Sequence, residues 1–168
     1  QRVLMAMAPM NAPKLLIAAE PPTGLDVTVQ AQILALLRDL VVRFQMATMI
    51  ITHDLGVVAH FCDDMVVMFA GNVVEAGPVR DVFANPAHPY TRSLIAATPE
   101  RLRIGTGMVL GGQPPNLYDL PAGCALQGRC PLARPVCATP VPNRRVGDSH
   151  VALCHLAGSE ATTATGAA

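Results

Sequence analysis

Residues 14–26, Lys14-Leu-Leu-Ile-Ala-Ala-Glu-Pro-Pro-Thr-Gly-Leu-Asp26, decide how the rest of the chain is read. Four apolar residues, Leu15 to Ala18, run without a polar break, as a strand covered on both faces of a parallel sheet does. Glu20 then stands at the carboxyl end of that strand, the edge where open α/β sheets place their ligands. Pro21 and Pro22 stop further strand pairing, Gly24 permits a tight turn, and Asp26 opens the next helix as its N-cap.

Working outward, Val29, Ile33, Leu36, Leu37, Leu40, Val41 and Phe44 recur at steps of three and four, an amphipathic helix of about four turns packed on the sheet. Ala47-Thr-Met-Ile-Ile51 is a second buried strand ending in Thr52-His53-Asp54, and Leu55 to Phe61 is a short helix capped by Asp54. Met65–Phe69 and Asn72–Glu75, joined around Ala70-Gly71, form a hairpin. Gly77-Pro78 and Asn85-Pro86 bracket one short helix, and Pro89 to Ala97 makes another. Upstream, Gln1 to Met10 has helical spacing and stops at Asn11-Ala-Pro13.

At Pro99 the character changes. Gly105, Gly107, Gly111, Gly112, Pro114 and Pro115 mark a linker. Leu120 to Leu156 is rich in Pro, Cys and Arg and too poor in large apolar side chains for a core, so it is expected to be irregular and to need a staple. Gly158 to Ala168 is small and polar, a disordered tail. The expected organisation is α/β over residues 1–98, a cysteine-bearing extension over 99–156, and a tail over 157–168.

The chain has 168 residues, 51% of them apolar and 14% charged, the balance of a well-buried globular protein. Twelve basic residues offset twelve acidic ones, with no basic stripe carrying interleaved aromatics, which argues against a nucleic-acid partner. No apolar run reaches the ~18 residues that span a bilayer, and no signal-peptide pattern is present. These features predict a cytosolic protein. Gln1 falls inside a helical pattern (Val3, Leu4, Met7), so the sequence reads as the C-terminal part of something longer.

The run from Leu15 to Asp26 resembles the Walker B strand, catalytic glutamate and D-loop of an ABC transporter ATPase. Leu25-Asp-Val-Thr-Val-Gln-Ala-Gln32 is similar to the oligopeptide/dipeptide importer branch, as are Gly71-Asn-Val-Val-Glu-Ala-Gly77 and His88-Pro-Tyr-Thr91. Gln1-Arg2 fits the tail of that family's Leu-Ser-Gly-Gly-x-x-Gln-Arg signature. The resemblance implies the C-terminal half of a P-loop NTPase core followed by a small Cys-rich extension. The Gly-x-x-x-x-Gly-Lys-Ser/Thr loop that cradles nucleotide phosphates is not in the sequence.

Hydrolysis of a nucleoside triphosphate needs a water aimed at the γ-phosphorus, a metal across the phosphates and donors for the developing charge. Glu20, a carboxylate at a strand tip, can polarise that water or take its proton, and the family's matching glutamate has this role. His53 resembles the family's switch histidine, which contacts the γ-phosphate; alone it would read as a hydrogen-bonded loop residue. Asp26 resembles the D-loop aspartate that reaches across a head-to-tail dimer, and an N-cap role is compatible with that. The family's strand ends in Asp-Glu, whereas this one ends in Ala19-Glu20, a degenerate Walker B with no oxygen for magnesium. Magnesium keeps waters and phosphates as ligands, but misplacing reacting groups costs about a hundredfold, so weak or no ATPase activity is expected.

Cys62 sits alone in an apolar helix as a small buried residue. Cys124, Cys130, Cys137 and Cys154 fall within 31 residues, at gaps of five, six and sixteen. Clustered cysteines in a reducing compartment point to metal before disulfide, although zinc sites pair their ligands more closely. Gly123-Cys-Ala-Leu-Gln-Gly-Arg-Cys-Pro131 and Val151-Ala-Leu-Cys-His-Leu156 resemble the C-terminal extension of oligopeptide/dipeptide importer ATPases, in which four such cysteines hold a [4Fe-4S] cluster. Zinc and paired disulfides remain alternatives. Arg129, Arg134, Arg144 and Arg145 would offset thiolate charge or form an ordinary solvated face, and His155 is a neighbour of the site.

The family resemblance implies ATP and Mg2+ as cofactors of the intact protein. As partners it implies a second ABC ATPase subunit, membrane-spanning permease subunits and, indirectly, an external peptide-binding protein, at the cytoplasmic face of the membrane. Two other readings compete: a non-catalytic remnant or pseudo-ATPase, and an autonomous metal-binding module over Pro99–Leu156.

Overall fold

The structure, a computed structural model, describes residues 13–20, 27–98, 108 and 110–158. They group into two compact units divided between Cys62 and Asp63.

The first unit contains β1 (Leu15–Ala19), α1 (Val27–Phe44), β2 (Ala47–Ile51) and α2 (Leu55–Phe61). β1 and β2 pair in parallel, in register from Leu15↔Ala47 to Ala19↔Ile51, and α1 is the crossover that a parallel pair requires. Ile33 and Leu37, one turn apart on α1, are each 1% exposed and join Met46 and Val57 as the buried residues of this unit among those described. After α1, Gln45 has φ 50°, the left-handed residue that commonly ends a helix.

The expectation that both strands are covered on both faces is corrected here. Leu15, Ile17, Met49 and Ile51 are 49–58% exposed, while Leu16, Ala18, Thr48 and Ile50 are half-buried. Side chains alternate across a strand, so one set of the pleat faces the unit's interior and the other has no layer over it among the described residues. An unbroken apolar run reports the chemistry of both faces and cannot say which residues supply their cover.

The second unit begins with the hairpin β3 (Asp64–Phe69) and β4 (Asn72–Pro78), with a bulge between Val67 and Met68. Its turn residues Ala70 and Gly71 have φ of 49° and 78°, the left-handed pair of the two-residue turn that matches strand twist. α3 (Val79–Ala84) and α4 (Pro89–Ala96) follow. α4 starts as its sequence predicts: Pro89 occupies the first turn, and the His88 Nδ1 accepts from the Tyr90 amide at 3.1 Å.

The segment from Leu120 to Leu156 is less irregular than its composition implies. After a 3-10 turn (Pro135–Ala138) it forms β5 (Asn143–Arg145) and β6 (Val151–Leu153), which extend the hairpin into an antiparallel sheet of order β3-β4-β6-β5. Strands this short persist because the formed edge of β4 receives β6, and β6 in turn receives β5. Met65, Val67, Val74, Val79, Val82, Ile95, Leu126 and Ala152 are the main buried apolar residues of this unit. The expected helix over Gln1–Met10, the residues Gln1, Arg2 and Asp26, most of the linker after Pro99 and nearly all of the tail lie outside the described residues.

Candidate functional site

Glu20 and His53 stand at the carboxyl ends of adjacent parallel strands. The Glu20 amide donates to the Ile51 carbonyl at 2.8 Å, carrying the ladder one step past β1. Its φ is 48°, a backbone conformation that costs energy for a non-glycine residue and clusters at functional sites. The turn brings Glu20 Oε1 to 2.8 Å from His53 Nδ1, with the two side chains 39% and 82% exposed. The hydrogen bond to Glu20, followed by its charge, raises the His53 pKa above 6.5. A carboxylate and an imidazole so arranged can share and pass a proton while both face solvent.

Asp54 holds the next turn. Its Oδ1 accepts from the Gly56 and Val57 amides at 2.8 and 3.3 Å, and its Oδ2 accepts from Gln30 Nε2 of α1 at 3.0 Å. Burial pushes the Asp54 pKa up, but these hydrogen bonds together hold it below the ordinary value. The cap predicted at Asp54 is thus present, and it also ties α2 to α1. Ala19 ends β1 opposite Ile51, exposed.

The four clustered cysteines all belong to the second unit and carry free thiols. The Cys124 amide donates to the Cys137 carbonyl at 2.8 Å. That approach requires Gly123, where a Cβ would lie 2.2 Å from the Cys137 carbonyl oxygen. Cys137 and Cys154 are 7% and 6% exposed, and their sulfurs accept from the Arg134 and Leu156 amides at 3.5 and 3.4 Å. Burial raises the pKa values of Cys124, Cys130 and Cys154, and each of these also feels the charge of other members of the group. The Cys124–Cys137 backbone hydrogen bond is thus a direct link between two of the four. Among the described residues, however, no three His, Cys, Asp or Glu side chains form a group that could hold a metal ion.

Residues 74–137 match the family described as oligopeptide/dipeptide transporter, C-terminal region. The chain is 49% identical over 155 residues to the oligopeptide transport ATP-binding protein OppD of Salmonella typhimurium, covering 92% of this chain and 46% of that protein. It is 46% identical over 157 residues to a probable peptide ABC transporter ATP-binding protein of Sinorhizobium fredii, covering 92% and 47%. To the dipeptide transport ATP-binding protein DppD of Bacillus subtilis it is 42% identical over 158 residues, covering 93% and 47%. The chain belongs to the peptide ABC-transporter ATP-binding family. It spans a little under half the length of these relatives.

Within this family member a second constellation escaped the sequence reading. Glu75, His88, Thr91 and His150 are the buried polar side chains among the described residues, each at 3% exposure or less. Glu75 Oε1 accepts from His150 Nε2 and from the Ala87 amide, both at 2.7 Å, and Oε2 accepts from the His88 amide at 2.9 Å. Burial lowers the His88 pKa to about 4, against the opposing charge of Glu75 and with the help of Arg92. The signal for Glu75 was a lone carboxylate in the apolar run Val73-Val-Glu-Ala76. Its partner His150, 75 residues away, had none. Among the described residues no helix is long and apolar enough to cross a membrane.

Proposed function

We propose that this chain supplies the later half of the ATP-binding domain of an importer ATPase for oligopeptides or dipeptides, with Glu20 and His53 at its nucleotide edge. The observation that carries this reading is the 2.8 Å Glu20–His53 pair on the carboxyl edge of two parallel strands, where α/β sheets bind ligands. Glu20 would orient the attacking water and accept its proton, and His53 would face the γ-phosphate, with Glu20 holding the imidazole in place. The phosphate-binding loop and most of the signature must come from sequence outside this chain. Gln1, Arg2 and Asp26 would meet a second ATPase subunit, and the pair would drive permease subunits at the cytoplasmic face of the membrane, supplied by an external peptide-binding protein.

ATP binding comes with the family. For magnesium the residues fit poorly, because Ala19 puts a methyl group where the family has a carboxylate. Ala19 favours a second reading, in which this subunit is the silent half of an asymmetric ATPase pair. The two readings part in one experiment: the chain joined to a complete upstream half from a relative, assayed for ATP hydrolysis. If the site is catalytic but impaired, Ala19→Asp raises turnover by about a hundredfold and Glu20→Gln abolishes it. A silent site stays silent in every variant, and hydrolysis that survives Glu20→Gln refutes the assignment of Glu20.

Cys124, Cys130, Cys137 and Cys154 are proposed to hold a [4Fe-4S] cluster, with zinc as the alternative. The donor set is all thiol and two of its sulfurs already accept amide hydrogen bonds, both of which suit thiolate ligands. Such a cluster would cross-link a segment with little core of its own, and binding would have to displace the thiol protons that burial retains. β6 of this segment pairs with β4, which weighs against an autonomous module beginning at Pro99.

A further inference from the structure

We propose that Gln30 and Asp54 are positioning residues for the Glu20–His53 pair: Gln30 holds the Asp54 carboxylate, and Asp54 holds the turn that presents His53 to Glu20. That the pair acts on a nucleotide rests on the reading above; how the pair is held does not.

The His53 side chain is 82% exposed, so packing does little to fix its ring, and the 2.8 Å contact with Glu20 depends on the backbone that carries it. On one side that backbone is secured by the strand ladder, through the Ala19↔Ile51 pair and the Glu20 amide on the Ile51 carbonyl. Thr52-His53-Asp54 then separates β2 from α2, and on this side the anchor is Asp54. Its amide donates to Thr52 Oγ1 at 3.0 Å, which closes the turn on itself. Its Oδ1 caps α2, leaving Oδ2 for Gln30 Nε2. The first two contacts tie Asp54 to its own neighbours in sequence. The contact with Gln30, 24 residues away, ties it to a different element.

Gln30, Ile33 and Leu37 follow one another at steps of three and four along α1, so they share a face, and Ile33 and Leu37 are each 1% exposed. A leucine at position 30 would simply continue that stripe. A half-buried amide there needs a hydrogen-bond partner, and Asp54 is that partner. Arg38, about two turns further along α1, donates to the His60 carbonyl and stands 5.6 Å from the centroid of the Phe61 ring. α1 therefore holds α2 at both ends, and loss of the Gln30 contact leaves the Arg38 end docked. What is lost is local: the turn bearing His53 is released from α1 in a unit that still folds.

The test uses the full chain and the NMR titration of His53. The acidic groups acting on His53 are Glu20 and, more weakly, Asp54. The readout is therefore the drop in the His53 midpoint caused by Glu20→Gln, a double-mutant cycle that isolates the Glu20 contact. Gln30→Met removes the donor at similar length and helix propensity, and most of the drop seen in the parent should disappear with it. Gln32→Met, the same change at an exposed position of α1, should leave the drop intact. Gln30→Glu combined with Asp54→Asn exchanges donor and acceptor between the two positions and should restore it. A drop as large in Gln30→Met as in the parent, an equal loss in Gln32→Met, no restoration by the exchange, or no drop in the parent overturns the proposal. In a second arm the chain carrying Ala19→Asp is joined to a complete upstream half from a relative. There Gln30→Met should lower kcat for ATP hydrolysis by up to about a hundredfold, and more than it raises KM. Unchanged turnover in an active joined chain also overturns the proposal. If no joined variant hydrolyses ATP while the NMR pattern holds, the catalytic reading fails and the positioning role stands.

Discussion

Substituting Gly123 by alanine should disrupt the cysteine segment more than any other glycine-to-alanine change described. A Cβ at Gly123 would lie 2.2 Å from the Cys137 carbonyl oxygen, 2.5 Å from the Ala138 carbonyl carbon and 2.8 Å from Ala138 Cα. All three neighbours are backbone, so none can rotate away, and ordinary contact requires the two segments to part by roughly 1 Å. That movement takes the 2.8 Å hydrogen bond from the Cys124 amide to Cys137 beyond useful length, a loss of about 1 kcal/mol. Overpacking strain adds about 1–3 kcal/mol, for a total of about 2–4 kcal/mol. Both tyrosines, Tyr90 and Tyr118, belong to the second unit, so tyrosine fluorescence in urea reports its unfolding. At a slope of about 1–3 kcal/mol per molar, the midpoint should fall by about 0.7–4 M. Gly128→Ala is the control, since nothing lies within 4 Å of its added Cβ. Equal midpoints for Gly123→Ala and Gly128→Ala would refute the argument from close approach.

Two further predictions concern the histidines. His53 should titrate above 6.5 because Glu20 stabilises its charged form; the charged pair is present below that pH and lost as pH rises through the raised value. Glu20→Gln should bring the His53 NMR titration back toward 6.5, and an unmoved midpoint would show that the pair does not form in solution. His88, held near 4 by burial, stays neutral over a range in which the unfolded chain takes up its proton. Stability is therefore full above pH 6.5 and falls as pH drops from 6.5 toward 4, by on the order of 3 kcal/mol. Urea midpoints measured across that range should show the slope, His88→Gln should flatten it, and a slope that persists in the variant would assign it elsewhere.

Local order was legible in the sequence where periodicity and caps are local. Leu55–Phe61 is a helix with the Asp54 cap predicted for it, and the hairpin turns at Ala70-Gly71 as expected. The Glu20–His53 juxtaposition followed from two apolar runs ending in polar residues, because neighbouring parallel strands bring their tips together. Two things were not legible. The exposed set Leu15, Ile17, Met49 and Ile51 depends on what covers the strands, and strand composition carries no record of that. β5 and β6 depend on the edge of β4 and on a carboxylate far away in sequence, so Asn143-Arg-Arg145 and Val151-Ala-Leu153 show no strand pattern strong enough to read alone.

The long separation between Glu75 and His150 also bears on how the protein is made. The β3–β4 hairpin can close as soon as its turn is synthesised, but His150 emerges 75 residues later. At roughly 5–20 residues per second that is a delay of about 4–15 s. Throughout it, Glu75 lacks the His150 donor, having at most the Ala87 and His88 amides, and the edge of β4 lies open to other chains. Nascent chains stalled or cut before His150 would keep that edge exposed indefinitely, which makes them natural clients for chaperones and proteases.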